Sequence, residues 1–239
     1  MAETRRLIFD IETIGEDFDS LDPTTQEVLT RWIKRDAETG AEYERSLADL
    51  KDGLGFSPLT GEIVAIGVLD SQNGKGAVYY QAPNQAPADL EEGNFKFKAL
   101  SEKEMLENFW QGAKQYDEFV SFNGRSFDVP FLAIRSAIRK VRPTKDLMSN
   151  RYLGSQRNGA LHIDLQDQLC FYGAVRRKGN LHLYCRAFGI KSPKADGVSG
   201  DQVGELFAAG KFLDIARYNT GDLLATKELY DYWREYLRV

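Results

Sequence analysis

The chain has 239 residues, 42% of them hydrophobic and 28% charged, and a net charge of -5 at neutral pH. Its mean hydropathy is -0.44, and its longest apolar run, "IVAIGVL" at 63–69, is far too short to span a bilayer. That excludes a disordered or membrane-embedded chain, and it leaves no global positive field to attract a polyanion, so any nucleic acid would be held by local basic patches or by metal ions.

The amino terminus "MAETRRL" lacks the apolar segment of a secretory signal, and two cysteines make a poor disulfide framework. A cytoplasmic protein is expected, folded as one domain over residues 1–239 with a charged helical insertion at about 15–55. In chain order, "RRLIFDI" predicts a first strand, because β-branched and aromatic residues alternate there. The insertion follows, opened by Asp22 as a helix N-cap with Pro23 in the first turn and stopped by Gly53. "GEIVAIGVLDS" and "GAVYYQA" flank "QNGKG", whose Asn-Gly pair predicts an antiparallel hairpin. "SEKEMLENFWQGAKQY" begins with a Ser-x-x-Glu capping box and has helical apolar spacing. "EFVSF" reads as a buried strand, "SFDVPFLAIRSAIRKV" as a helix with Pro130 in its first turn, and "ALHIDL" as a short strand before a helical remainder. The pattern predicts an α/β fold with a mixed sheet of about five strands, the first three antiparallel, flanked by helices.

Three places in this chain carry carboxylates at structurally defined positions. Asp10 and Glu12 lie two apart on the first strand, so both point to one face. Asp128 stands at a helix entry directly after a buried strand, and Tyr218 and Asp222 are four apart on one helix face. Taken singly, each has an ordinary structural explanation: a strand end, a helix-dipole carboxylate, a mixed helix face.

Together and in this order they form a known pattern. "FDIET", "FNGRSFDVPFL" and "YNTGDLLAT" resemble the three motifs of the DEDD superfamily of 3′-to-5′ exonucleases, in its tyrosine-containing branch. With "LHIDL" and "HLYCRAFGIKSPKADGVSG", nearly the whole chain is similar to the predicted stand-alone bacterial exonucleases related to the proofreading domain of family B DNA polymerases. The histidine branch is excluded, because its histidine position is Arg217 here. The charged insertion and the absence of a polymerase module are departures from the polymerase domains. The resemblance implies a ribonuclease H-like fold and a nuclease releasing nucleoside 5′-monophosphates from 3′ ends of single-stranded DNA. An RNA-trimming enzyme and an inactive nucleic-acid-binding module remain alternatives, and the sequence specifies no protein partner.

Four carboxylates in one place stay ionised together only if divalent cations compensate them. All-oxygen ligands suit Mg²⁺ or Mn²⁺. Two such ions about 3.5–4 Å apart can activate a water and stabilise a leaving 3′ oxygen. Asp10, Glu12, Asp128 and Asp222 are the expected ligands, and Tyr218 the residue that orients the water. By resemblance Thr13, Asn123 and Phe127 would face the terminal nucleotide. Arg135, Arg139, Lys140, Arg142, Lys145 and Arg151, and "RRK" at 176–178, form basic stretches that read equally as solvated surface or as a phosphate track. Asp164 is expected to be structural. His162, Cys170, His182 and Cys185 fit no usual zinc spacing and are read as structural residues, the cysteines as buried small hydrophobes.

Overall fold

The computed structural model describes residues 4–85, 89–193 and 200–238. Of the matched stretch "HLYCRAFGIKSPKADGVSG", positions 194–199 lie outside the described residues. The strands are β1 (Arg6–Gly15), β2 (Gly61–Asp70), β3 (Gly76–Tyr80), β4 (Leu90–Glu92), β5 (Phe95–Ala99), β6 (Glu118–Ser121) and β7 (Leu161–Asp164). They form one mixed sheet in the order β4-β5-β3-β2-β1-β6-β7. β1, β2 and β3 are antiparallel neighbours, as the hairpin signal requires, whereas β6 runs parallel to β1 and β7 parallel to β6.

The expectation of about five strands is corrected to seven among the described residues. β4 and β5 form a hairpin through Gly93, which takes φ 58°. The signal was local: Phe95 and Phe97 are buried while the lysines between and after them are not, an alternation with a period of two over "FKFKA". β4 itself is only three residues long, too short for any periodicity to show.

Alternation along β1 divides the core. Leu7, Phe9 and Ile11 pack against helices α3 (Glu102–Ala113) and α4 (Asp128–Ile138) on one face. Ile8 packs on the other face among residues of α8 (Phe212–Tyr236), α5 (Leu165–Leu169), α6 (Leu181–Phe188) and α7 (Val203–Ala208). By the same period of two, Asp10 and Glu12 share the α8 face with Ile8. The register against β2 shifts between Glu12 and Thr13, an irregularity that releases the strand from strict alternation just past the second carboxylate.

The insertion is two helices, α1 (Pro23–Asp36) and α2 (Gly40–Gly53). Asp22 caps α1 by accepting the backbone N–H groups of Thr24 and Thr25, and Thr39 with Glu42 forms a capping box on α2. α2 buries no side chain, so this pair sits on the surface of the sheet core. Among the described residues, no helix is long and apolar enough to cross a membrane.

Candidate active site

The centre of the molecule joins the middle of β1, where Asp10 and Glu12 lie, rather than its end, to α8. One oxygen each of Asp10, Glu12 and Asp222 lie within 4.8 Å of one another. β1 supplies two of them through its alternation, and α8 supplies the third one turn after Tyr218. Asp128 stands beside this group rather than in it: its Oδ1 accepts the Ile11 backbone N–H at 3.1 Å, which ties the start of α4 to β1.

Burial, then the charges of Asp128, Asp222 and Glu12, push Asp10 well above the usual carboxylate range. Burial and Asp222 do the same to Glu12, with the Asn219 amide pulling the other way. Asp128 is raised to about 7, chiefly by burial, and Asp164 and Asp222 add to the rise. The Tyr218 hydroxyl is buried, lies near Asp222, Glu12 and Asp10, and donates to Asp222; all of this holds its proton firmly.

Buried carboxylates that destabilise one another's charge, with oxygen donors only, fit a hard divalent cation such as Mg²⁺ or Mn²⁺. Asp10, Glu12 and Asp222 would hold it, with Asp128 within electrostatic reach.

One residue of the centre carries no charge and was passed over in the sequence. Asn219 is fully buried, and its Nδ2 donates to Asp10 Oδ2 at 2.8 Å and to Glu12 Oε1 at 3.4 Å. It lies within the quoted "YNTGD" and three residues before Asp222, hence on the same helix face. Its Oδ1 is buried without a hydrogen-bond partner among the described residues and abuts Gly67 of β2, where a Cβ would lie 1.8 Å away. A glycine inside "IVAIGVL" is the sequence trace of that close approach.

Two hollows meet at this centre. A cavity of about 230 Å³ is bounded by Asn123, Gln166, Asn180, His182, Tyr218 and Asp222 among others. A groove of about 870 Å³ runs from Glu12 along Thr13, between the end of the insertion and α7, with Phe127 on its wall. The three expected substrate contacts therefore divide: Asn123 faces the cavity, Thr13 and Phe127 the groove. Thr13 Oγ1 donates to the Gly55 carbonyl at 2.7 Å and so anchors the insertion to β1. Asn123 sits at φ 63°, with its N–H donated to Asp164.

Asp164 has the expected structural role, accepting from Asn123, Arg125 and Gln166 and so clamping the 123–125 turn to the start of α5. His162 is buried neutral, lowered to about 3 chiefly by burial; it bonds Ser121 and the Leu147 carbonyl. His182 bonds Ser192, and both cysteines are free and buried. Within the basic stretch at 135–151, Lys140 and Arg142 are exposed, whereas four cations have protein partners. Arg135 and Arg139 are paired with Glu102, Lys145 donates to the Tyr116 and Gly159 carbonyls, and Arg151 pairs with Asp167. Arg176, Arg177 and Lys178 are exposed, immediately before Asn180 of the cavity.

A family model described as "Predicted 3'-5' exonuclease related to the exonuclease domain of PolB" matches residues 63–236. That range holds Asp128, Tyr218 and Asp222 but begins after Asp10 and Glu12, so it is the fold that joins the two β1 carboxylates to the rest. Among solved structures, the family B DNA polymerase from the hyperthermophilic archaeon Pyrobaculum calidifontis is similar, with a TM-score of 0.59 at 18% identity over 97% of this chain. The match spans 25% of the polymerase, so the likeness shows a shared fold and nothing of the larger protein's activity. Comparison with curated proteins gave no match.

Proposed function

Since the chain belongs to that family of predicted 3′-5′ exonucleases related to the exonuclease domain of PolB, we propose that it is a metal-dependent 3′-to-5′ exonuclease. In this reading it removes nucleoside 5′-monophosphates from single-stranded DNA ends by a two-metal reaction. The observation that carries the reading is the meeting of Asp10, Glu12 and Asp222 within 4.8 Å beside a Tyr218 hydroxyl donating to Asp222. DNA is favoured over RNA because the related domain and the similar structure are those of DNA polymerases.

Bound among these carboxylates, two Mg²⁺ or Mn²⁺ ions would acidify a water and offset charge on the leaving oxygen. Asp10, Glu12 and Asp222 serve as ligands, and Asp128 completes the site from α4. Asn219 fixes the orientation of Asp10 and Glu12 through its amide. Tyr218 keeps its proton, so it is not the base; while donating to Asp222 its oxygen accepts a hydrogen bond from the attacking water and aims it at phosphorus. The water gives up a proton to solvent as its oxygen forms the new P–O bond, the bond to the 3′ oxygen breaks, and that oxygen takes up a proton from solvent and leaves as a hydroxyl. The reading takes the chain as one catalytic domain, supported by a single sheet packed on both faces. It also places the protein in the cytoplasm, on the strength of its two free, buried cysteines.

The test is to incubate the full chain with 5′-labelled single-stranded DNA and matched RNA in Mg²⁺, Mn²⁺ or EDTA, beside an Asp10→Ala, Asp128→Ala control. A metal-dependent ladder shortening from the 3′ end of DNA, absent from the control, is the expected result. A ladder on RNA alone would change the substrate, and no cleavage of either would turn the reading to a binding module.

A further inference from the structure

Glu12 borders the groove and Asp222 borders the cavity, so the carboxylates stand between two hollows of different chemistry. Among the described residues, the charged lining of the groove is Glu12, Asp52 and Glu205 against one cation, Lys51. That cation is already occupied: its Nζ lies 3.0 Å from both oxygens of Asp19 and 5.1 Å from the centre of the Phe18 ring. A phosphodiester chain running along the groove would meet net negative charge. On the opposite side, the cavity is lined by neutral groups apart from Asp222, with the amides of Asn123, Gln166 and Asn180 among them, and Arg176, Arg177 and Lys178 are exposed shortly before Asn180 in the chain.

The groove also holds an aromatic ring in water. Phe56, at the end of the insertion, is 66% exposed and lies edge-on to Phe127, with ring centres 6.4 Å apart. Its backbone is fixed to β1. Besides the Thr13 hydroxyl on the Gly55 carbonyl, Thr60 Oγ1 donates to Leu54 at 2.8 Å and the Glu16 N–H to Thr60 at 2.8 Å. The two chains pass so closely that a Cβ on Gly55 would lie 2.9 Å from the Gly15 nitrogen. A large apolar face presented on a rigid mount next to the reacting centre suits a flat, apolar ligand face.

With the 3′-terminal nucleotide in the groove that Thr13 and Phe127 line, as the family resemblance implies, we infer that Phe56 of the insertion stacks its base while the rest of the strand leaves past the cavity. The terminal nucleoside is the one unit of a strand with no phosphate beyond it, so it alone suits an acidic groove. Stacking on a ring is sequence-tolerant, which agrees with an enzyme that shortens any strand. The inference rests on the nuclease reading for the identity of the ligand, and its test separates the two.

Oligonucleotides carrying 2-aminopurine at the 3′-terminal position, or several positions inside, are mixed with the full chain in Ca²⁺ and their fluorescence is followed. The terminal reporter is quenched by the unaltered protein. Phe56→Ala, at an exposed position, removes the quench and weakens binding about tenfold, within the range of one base on one ring. Phe56→Trp restores both, and the internal reporter responds equally to all three proteins. Equal terminal quenching by Phe56→Ala would overturn the inference, as would no quenching by the unaltered protein. If the protein degrades no nucleic acid but terminal quenching still depends on Phe56, the nuclease reading falls and the stacking site stands.

Discussion

Two groups of buried carboxylates lie on opposite faces of the sheet, and they are treated in opposite ways. Glu102, at the start of α3, is 3% exposed and accepts from Arg135 through both Nε and Nη2 at 2.8 Å, from Arg139, and from the Ile63 N–H. Burial pushes its pKa up, but these donors outweigh it and hold the group below its usual range. On the α8 face, the groups that act most strongly on Asp10 are burial and other carboxylates, and its pKa rises. A fold that supplies guanidinium partners for one buried acid and further acids for the others has a structural charge in the first place and, in the second, a carboxylate cluster that could hold a cation.

The largest effect expected is on chemistry. Asp10→Ala or Asp222→Ala is expected to lower mononucleotide release about a thousandfold or more, since a metal centre supplies several kcal/mol of transition-state stabilisation. The same change removes a repelling charge, so melting of the metal-free protein is expected to be unchanged or higher. Loss of both activity and stability would mean that these acids are partnered like Glu102, and the contrast between the two faces would collapse.

The complementary change is Arg135→Ala. It leaves a buried carboxylate with part of its donors gone, and about 3–5 kcal/mol of folding free energy is expected to be lost. Urea unfolding measures it directly. A cost below about 1 kcal/mol would show that water reaches Glu102 and that the pair is an ordinary surface bridge.

The same contrast explains what could be read from the chain. That Asp10 and Glu12 share one strand face, and Tyr218 and Asp222 one helix face, was legible because strand alternation and helix spacing are local, and their combination because it resembles a known set of motifs. The destination of Arg135 was not: its partner is 33 positions away along the chain, and a cation looks the same in sequence whether it meets phosphate or Glu102. β4 was missed because a strand of three residues carries no period, whereas β5 does show a short alternation in "FKFKA" that went unread. Asn219 was missed for a chemical reason. An uncharged amide between two motif residues draws no attention until its donors are seen on Asp10 and Glu12, and its necessary neighbour Gly67 is set by packing between α8 and β2.

That neighbour pair gives a smaller effect, acting through position alone. Asn219→Ala removes the donor that orients Asp10 and Glu12, and a ten- to hundredfold loss in activation by Mg²⁺ or Mn²⁺ is expected, as for other residues that hold metal ligands in place. Gly67→Ala is expected to give the same loss without touching any polar group, because the new methyl would displace Asn219. Metal titration of the initial rate is the measurement. If Gly67→Ala keeps full metal affinity while Asn219→Ala loses it, α8 can shift to restore the amide contact.

The smallest effect follows from proton linkage and sharpens the contrast without any catalysis. Asp10, Glu12 and Asp128 have folded-state pKa values above their ordinary ones, Asp128 at about 7. The folded protein therefore binds protons that the unfolded chain has released, and stability falls as pH rises through the folded values. Glu102 has the opposite sign, but its depressed value puts its window in acid, and the lowered His162 likewise acts below its ordinary value of 6.5. Between pH 6.5 and 8 the carboxylate centre acts alone among these groups. For one proton the slope is at most about 1.4 kcal/mol per pH unit, or about 3–6 °C in Tm for a chain of this size. In EDTA, Tm is expected to fall over that interval, and Asp128→Asn to flatten the fall. Mg²⁺ or Mn²⁺ is expected to raise Tm more at pH 8 than at 6.5, because cations compete with protons for the same oxygens. A Tm independent of pH in EDTA would mean that these acids are already ionised in the metal-free fold, leaving the protein without the charge deficit that sets its two faces apart.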